Sequence, residues 1–281
     1  MLIREDFYAN GFVMLNLPVL VFDIETIPDV RSGSRLYGLD LPDDDTVLAM
    51  NNIRRQESNS DFPRLPLHEI VCISGIWVEE GQIRLFSFCQ ESMSEQEIIK
   101  RFLSVFDKHF PTLVSWNGTA FDLPVLILRA MHYGLSAQGF LDQGDFNNAR
   151  RYDNYQNRYQ HRHTDLMDCL ALFNARNFQR LDELALFLGF PGKQGHSGYH
   201  VHDYVKNQDW KVLCQYCESD VINTWLIYLR WQLLRGHLNR DEHQHWIKFT
   251  HDYIAEQLPG QHEFLANWQN NAKLTPFNPL C

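Results

Sequence analysis

The sequence predicts an α/β fold with a mixed sheet whose first strand lies centrally, flanked by helices. Three observations carry this. Residues 18–26, PVLVFDIET, form a continuous apolar run rich in β-branched residues, the pattern of a strand buried on both faces. The segments that follow read as strand, strand, helix, strand, helix, short strand, helix, an order that fits a sheet wrapped by helices. The composition, 44% apolar and 13% aromatic over 281 residues, supplies a sizeable core.

The elements follow in order. Residues 1–17 read as an N-terminal extension ahead of the first strand. The stretch 31–66 is an excursion, acidic at Asp43–Asp45 and polar at 51–61, with Pro63, Pro66 and one short helix around 45–56. Strands are expected at 69–78 and 83–89, with Gly81 in the turn between them. A helix over 95–110 carries Ile98, Phe102, Val105 and Phe106 at helical spacing, with Ser94 and Glu97 as a capping box. TLVSW (112–116) is another buried strand, and 121–133 a helix with Pro124 in its first turn. After a polar stretch at 137–163, residues 163–173 run from a short strand into a helix. Leu181–Leu188 is a helix ended by Gly189, Trp210–Leu234 a long amphipathic helix, and 241–281 a helical tail that ends loosely. The expected organisation is an extension (1–17), one main domain (18–235) and a helical C-terminal extension (236–281) packed on it.

Composition narrows the function. Lys and Arg total 25 against 35 for Asp and Glu, a formal charge of −10. A protein that held nucleic acid through a basic surface alone would lean the other way. The six cysteines are scattered through apolar stretches, which predicts reduced thiols and a cytoplasmic location. The apolar stretch at 12–22 contains Asn16 and Pro18 and runs into Asp23 and Glu25, unlike a signal peptide. No apolar run is long enough to cross a bilayer, so no membrane partner is expected.

Four acids and a tyrosine stand out. Asp23 and Glu25, two apart on a strand, project to one face beyond the C-terminal end of an apolar run. Two such anions repel unless one is protonated or a hard cation such as Mg²⁺ or Mn²⁺ binds between them. Alone, the pair would read as a strand end in water. Asp122 closes the stretch Asn117-Gly-Thr-Ala-Phe-Asp122 at a helix start, where any acid complements the helix dipole. Tyr216 and Asp220 share a helix face at spacing i, i+4.

In combination, FDIET, N-x-x-x-F-D and Y-x-x-x-D resemble the three motifs of the DEDD 3′–5′ exonucleases, which have an RNase H-like fold. The tyrosine four residues before the last aspartate resembles the tyrosine subclass; the histidine subclass would need His at 215, where this chain has Gln215. RYQHRHTDLMD (158–168), LGFPGK (188–193) and YCESDVINTWLIYLR (216–230) are most similar to the predicted exonucleases related to the proofreading domain of family B DNA polymerases. The resemblance covers roughly residues 18–235. It implies two divalent ions, Mg²⁺ or Mn²⁺, held by Asp23, Glu25, Asp122 and Asp220, with Asp23 shared. Tyr216 would orient the attacking water. Asn117, Phe121, Thr26 and Ile27 would lie near the terminal nucleotide, and Asp165 would support the site from behind rather than bind metal. The partner would be a single-stranded 3′ end, cut to nucleoside 5′-monophosphates. With no room for a polymerase domain, a stand-alone nuclease preferring DNA is expected. The rival readings are an RNA 3′-end trimming enzyme and a catalytically silent nucleic-acid-binding protein of the same fold.

Residues 150–163 supply a local basic patch. Arg150, Arg151, Arg158 and Arg162 alternate with Tyr152, Tyr155 and Tyr159, guanidiniums for phosphates and rings for bases. Arg158 and Tyr159 are the chosen substrate contacts here, and Lys193 is placed against the nucleic-acid backbone at the edge of the site. Three signals are set aside. Gly189–Lys193 lacks the spacing of a phosphate-cradling loop. His196, His200, His202, His243 and His245 read as solvated. Cys214-Gln-Tyr-Cys217 has the C-x-x-C form, but no second pair lies at a suitable distance along the chain.

Overall fold

The computed structural model describes residues 18–193, 198–278 and 280, so the extension read over 1–17 lies outside the described residues. Five strands form one sheet in the order β3-β2-β1-β4-β5. They are β1 (Val19–Pro28), β2 (His68–Glu79), β3 (Gln82–Cys89), β4 (Thr112–Ser115) and β5 (His163–Asp165). β1 pairs antiparallel with β2 on one side and parallel with β4 on the other, so the first strand is central. With its flanking helices this is the α/β, RNase H-like arrangement that the motifs implied.

Alternation along β1 assigns its residues to two cores. Leu20, Phe22 and Ile24 face α3 (Glu95–Lys108) and α4 (Asp122–His132), meeting Ile98, Phe102 and Leu126. Val19 and Val21 face α9 (Trp210–Leu234), meeting Val221, Ile222 and Trp225. Asp23 and Glu25 continue this second row, so strand geometry aims both carboxylates at α9. The β1–β2 register shifts between Glu25 and Thr26. A bulge there bends the strand just past the acids and re-aims the residues that follow.

α9 departs from the amphipathic helix that its sequence predicts. Every residue from Ser219 to Leu229 is buried. The sheet covers one side, and α7 (Leu181–Phe187), α10 (Arg240–Gln257) and α11 (His262–Ala272) cover the rest through Ala185, Ile247, Ile254, Phe264 and Trp268. The C-terminal helices thus pack into the same core as the sheet. Tyr253 of α10 also accepts the Leu85 N–H at 3.0 Å, satisfying a donor on the exposed edge of β3.

The excursion after β1 holds two helices rather than one. α1 (Val30–Tyr37) starts at Asp29, whose side chain accepts the Ser32 N–H, and ends at Gly38 with φ 65°. Gly33 is its one buried residue. α2 (Asp43–Ser58) extends beyond the predicted segment, with Asp43, Asp44 and Asp45 complementing the dipole in its first turn. α5 (Gln138–Leu141), α6 (Leu166–Leu170) and α8 (Val201–Asn207) complete the α-helices among the described residues.

A buried ionic knot ties these layers together beyond the end of β1. The Arg129 guanidinium on α4 pairs with Asp29 and with Glu95, donating from Nε to Glu95 Oε1 at 2.7 Å. Glu95 also accepts from the Ile70 N–H of β2 at 2.8 Å and from the Tyr133 hydroxyl at 2.7 Å. Burial works against ionised Asp29, but hydrogen bonds from Ser32 and Arg129 hold its carboxyl below the usual range. Arg129→Ala strands two buried carboxylates, and a loss of about 3–5 kcal/mol is expected. Urea unfolding of wild type and variant measures it; a change within about 0.5 kcal/mol would show that the knot contributes little.

Candidate active site

The acids reach one place by three routes. Asp23 and Glu25 arrive on β1, with Glu25 buried and Asp23 keeping part of its surface open. Asp122 stands at the first turn of α4, 3% exposed, and its Oδ1 accepts the Ile24 N–H at 3.1 Å. That bond docks the helix start onto the strand between the two β1 acids. The loop from β4 to α4 makes this possible. Asn117 takes φ 63°, and Gly118 lies so close to Ser115 that an added Cβ would sit 2.3 Å from Oγ. The Asn-Gly pair is therefore a backbone requirement of the tight turn that delivers Asp122.

Asp165 holds that turn from behind. It accepts N–H groups from Asn117 at 3.0 Å and Thr119 at 2.9 Å, and also from Met167 at the start of α6. Its carboxylate is thus occupied with backbone donors.

Tyr216 and Asp220 sit one turn apart on α9. Lys193 joins them: its Nζ lies 2.6 Å from Asp220 Oδ2 and 2.8 Å from the Tyr216 hydroxyl oxygen. Lys193 is therefore placed inside the cluster, next to the acids, as well as along the cleft that leads to it. Cys217, on the next position of α9, directs its thiol to the Asp23 carbonyl and carboxylate at 3.6 and 3.7 Å.

Crowding shifts the titration of every acid upward. Asp23 is raised far above its ordinary value by burial and by neighbouring negative groups, including Asp122, Glu25 and Asp220. Burial, then Asp220, raises Glu25, partly offset by Lys193. Asp122 is pushed up to about 7, chiefly by burial, although the backbone N–H groups it accepts pull the other way. Asp220 is raised by burial against the pull of Lys193. Burial and the adjacent Glu25 push the Tyr216 phenol well above its ordinary value, so it stays protonated.

The donor set suits hard divalent cations. Carboxylate oxygens of Asp23 and Glu25 lie within 4.8 Å of each other, and the buried Asp220 Oδ1 has no hydrogen-bond partner. A buried carboxylate oxygen without a donor, in a cluster of four acids, is what an oxygen-seeking cation satisfies. Asp23, Glu25, Asp122 and Asp220 are the residues that would hold such ions.

Two contiguous cavities lead away from the acids. The inner one, of about 360 Å³, is lined by Asp23, Glu25, Asn117, Phe121, Asp122, Lys193, Tyr216 and Asp220 among others. The outer one, of about 770 Å³, adds Thr26, Ile27, Phe62 and His68. Phe62, His68 and Phe121 stack into a ring cluster with centroids 4.8–5.3 Å apart, and Thr26 Oγ1 lies 2.9 Å from His68 Nδ1. Sequence reading missed Phe62 and His68, and also Arg180 and Asp182 at the start of α7, which line both cavities. Phe62 and His68 lie at opposite ends of a prolyl loop, and no spacing links them to the acids.

Arg158 and Tyr159 line neither cavity. Arg158 pairs with Asp168 at 3.1 Å and lies over the Phe173 ring, which Tyr159 also meets edge-on. Tyr159 is nonetheless 76% exposed. The other residues of the patch are partly committed to structure: Tyr155 is buried, and Arg150 and Arg162 cover Phe110.

The cysteines require a correction. Chain distance hides a second pair that folding provides, because Cys72 and Cys89 are register partners on β2 and β3. The sulfurs of Cys72, Cys89 and Cys214 lie within 4.8 Å of one another.

Comparison with known proteins agrees with this geometry. No curated protein matches the chain. A family model described as a predicted 3′–5′ exonuclease related to the exonuclease domain of PolB matches residues 60–272. The match contains Asp122, Asp165, Lys193, Tyr216 and Asp220; Asp23 and Glu25 precede it, and β1 carries them into the matched region's site by pairing between β2 and β4. The chain belongs to this family of predicted 3′–5′ exonucleases related to the exonuclease domain of PolB.

Proposed function

We propose that this protein hydrolyses the terminal phosphodiester of a single-stranded nucleic acid at its 3′ end, with DNA as first substrate and two divalent ions, Mg²⁺ or Mn²⁺, as cofactors. The observation that carries the reading is the meeting of three buried carboxylates and the half-buried Asp23, with an unpartnered Asp220 oxygen, at the inner end of a cleft. Bound cations would supply an activated water and stabilise the departing 3′-oxygen.

The chain's own groups have distinct tasks. Asp23, Glu25 and Asp220 would hold one ion, and Asp23 with Asp122 would serve the second. Asp122 has one oxygen committed to the Ile24 N–H, which leaves the other for this role. Tyr216, kept as a phenol by its acidic surroundings, donates a hydrogen bond that orients water and does not act as a base. On this reading the site is of the tyrosine subclass. Lys193 balances Asp220 and offers its ammonium to a substrate phosphate. Phe121, with Phe62 and His68, gives the terminal base a stacking surface, and Thr26, Ile27 and Asn117 border the sugar.

A 5′-labelled single-stranded DNA is expected to shorten from its 3′ end in Mg²⁺ or Mn²⁺ and to stay intact in EDTA. Asp23→Ala and Asp220→Asn should lower the rate by about 10²–10³-fold or more. Equal digestion by wild type and Asp23→Ala would place the activity elsewhere. A matched RNA decides the substrate class: faster RNA cleavage would replace the DNA assignment.

The raised acid titrations predict a pH dependence. In the folded state, carboxyls with raised pKa, Asp122 at about 7 among them, retain protons that the unfolded chain has lost. Cations must displace those protons, so thermal stabilisation by Mn²⁺ should grow from about pH 5 to about pH 8. Melting scans with Mn²⁺ and with EDTA at each pH isolate this increment. An increment that is flat or falls with pH would rule out metal binding by protonated acids.

The Arg158 and Tyr159 surface, outside both cavities, is proposed as a platform for the strand beyond its last nucleotides. Replacing both by alanine should weaken binding of a long oligonucleotide to Asp23→Ala protein by about 1–3 kcal/mol. Fluorescence anisotropy measures it, and unchanged affinity would remove the platform.

A further inference from the structure

We propose that Cys72, Cys89, Cys214 and Cys217 form a structural zinc site that clamps the catalytic turn of α9 onto the sheet. Three elements bring these sulfurs together. Cys72 and Cys89 face each other across β2 and β3, and the Gln90 N–H donates to the Val71 carbonyl at 3.0 Å. That bond flanks the cysteines as a non-hydrogen-bonded pair, the position where cross-strand side chains approach most closely. Cys214 comes from the first turns of α9, and Cys217 follows one turn later, as C-x-x-C on a helix places both on one side.

The geometry fits a thiolate-rich metal better than a simple apolar contact. Tetrahedral zinc with Zn–S of about 2.3 Å needs sulfurs roughly 3.8 Å apart, and those of Cys72, Cys89 and Cys214 already lie within 4.8 Å of one another. Cys217 stands one turn further along α9; its thiol points to the Asp23 carbonyl and carboxylate at 3.6 and 3.7 Å and would turn to the other three sulfurs to give the fourth ligand. Cys72 and Cys217 are fully buried, and the half-buried Cys214 gives an ion a way in. Soft sulfur donors separate this centre from the oxygen donors beside it: zinc takes the thiols and Mg²⁺ or Mn²⁺ the carboxylates.

The clamp has a clear mechanical consequence. Cys217 lies between Tyr216 and Asp220 in the chain, and its thiol contacts Asp23. Four deprotonating thiols release their protons to solvent as zinc binds, and α9 is then tied to β2 and β3 directly behind the acids.

The test is the metal content of the full chain. Protein expressed with zinc, dialysed against EDTA to empty the carboxylate site, should retain about one zinc per chain by elemental analysis. Cys89→Ser and Cys214→Ser should each drop below about a tenth of that, while Cys169→Ser, outside the cluster, and Asp220→Asn should retain it. Cobalt exchanged into wild type should give the sulfur-to-metal charge-transfer bands and intense visible absorption of a tetrahedral thiolate site. These spectral readouts do not depend on variant folding. Wild type without zinc after reconstitution, zinc that survives both cysteine substitutions, zinc lost with Asp220→Asn, or a disulfide in place of free thiols would each overturn the proposal.

Discussion

Four carboxylates gathered where water is scarce are the constraint on which this structure turns. Such a cluster opposes folding: each anion raises the cost of its neighbours, and burial raises it further. The protein answers locally in three ways. Lys193 sets a positive charge against Asp220, the Ile24 N–H engages Asp122, and the remaining acids are held with raised titration. None of these supplies the full compensation. The unpartnered Asp220 oxygen marks where charge from outside the chain is called for. The tension that opposes folding around this cluster is one that a divalent ion would relieve.

Rigid surroundings make the cluster tolerable. β1 is gripped by β2 and β4 and by cores on both faces, so its acids cannot separate by strand movement. α9, buried all round over its central turns, holds Asp220 in register with the strand. The Arg129 knot secures the far end of β1 to α3 and α4, and so steadies the helix that carries Asp122. In that knot the countercharge is built into the chain, and the carboxylates are fully paired. At the active cluster they are not. The contrast separates a structural ionic site from one suited to ligand.

The net charge of −10 is reconciled with a nucleic-acid substrate by the same logic. A phosphodiester approaching this cleft would meet bound cations and Lys193 rather than bare acids, and the ring cluster of Phe62, His68 and Phe121 needs no charge to receive a base. No helix among the described residues is long and apolar enough to cross a membrane.

The sequence by itself determined the elements whose chemistry is local. The β-branched run of β1, the capping box at Ser94 and the motifs around Asp122 and Asp220 are fixed by near neighbours, and period-two geometry alone put Asp23 and Glu25 on one face. α1 escaped notice because it has only eight residues and its one buried residue is a glycine, so little apolar sequence marks it. α9 was misread as amphipathic because its outer side is covered by helices far along the chain. Only the tertiary structure decided that Lys193 stands among the acids, that Phe62 and His68 join Phe121, and that Cys72 and Cys89 meet Cys214 in one sulfur cluster. Each of these contacts joins residues from separate elements. Their proximity follows from strand order and helix packing, which summed burial and chain entropy settle, and no short-range spacing encodes it.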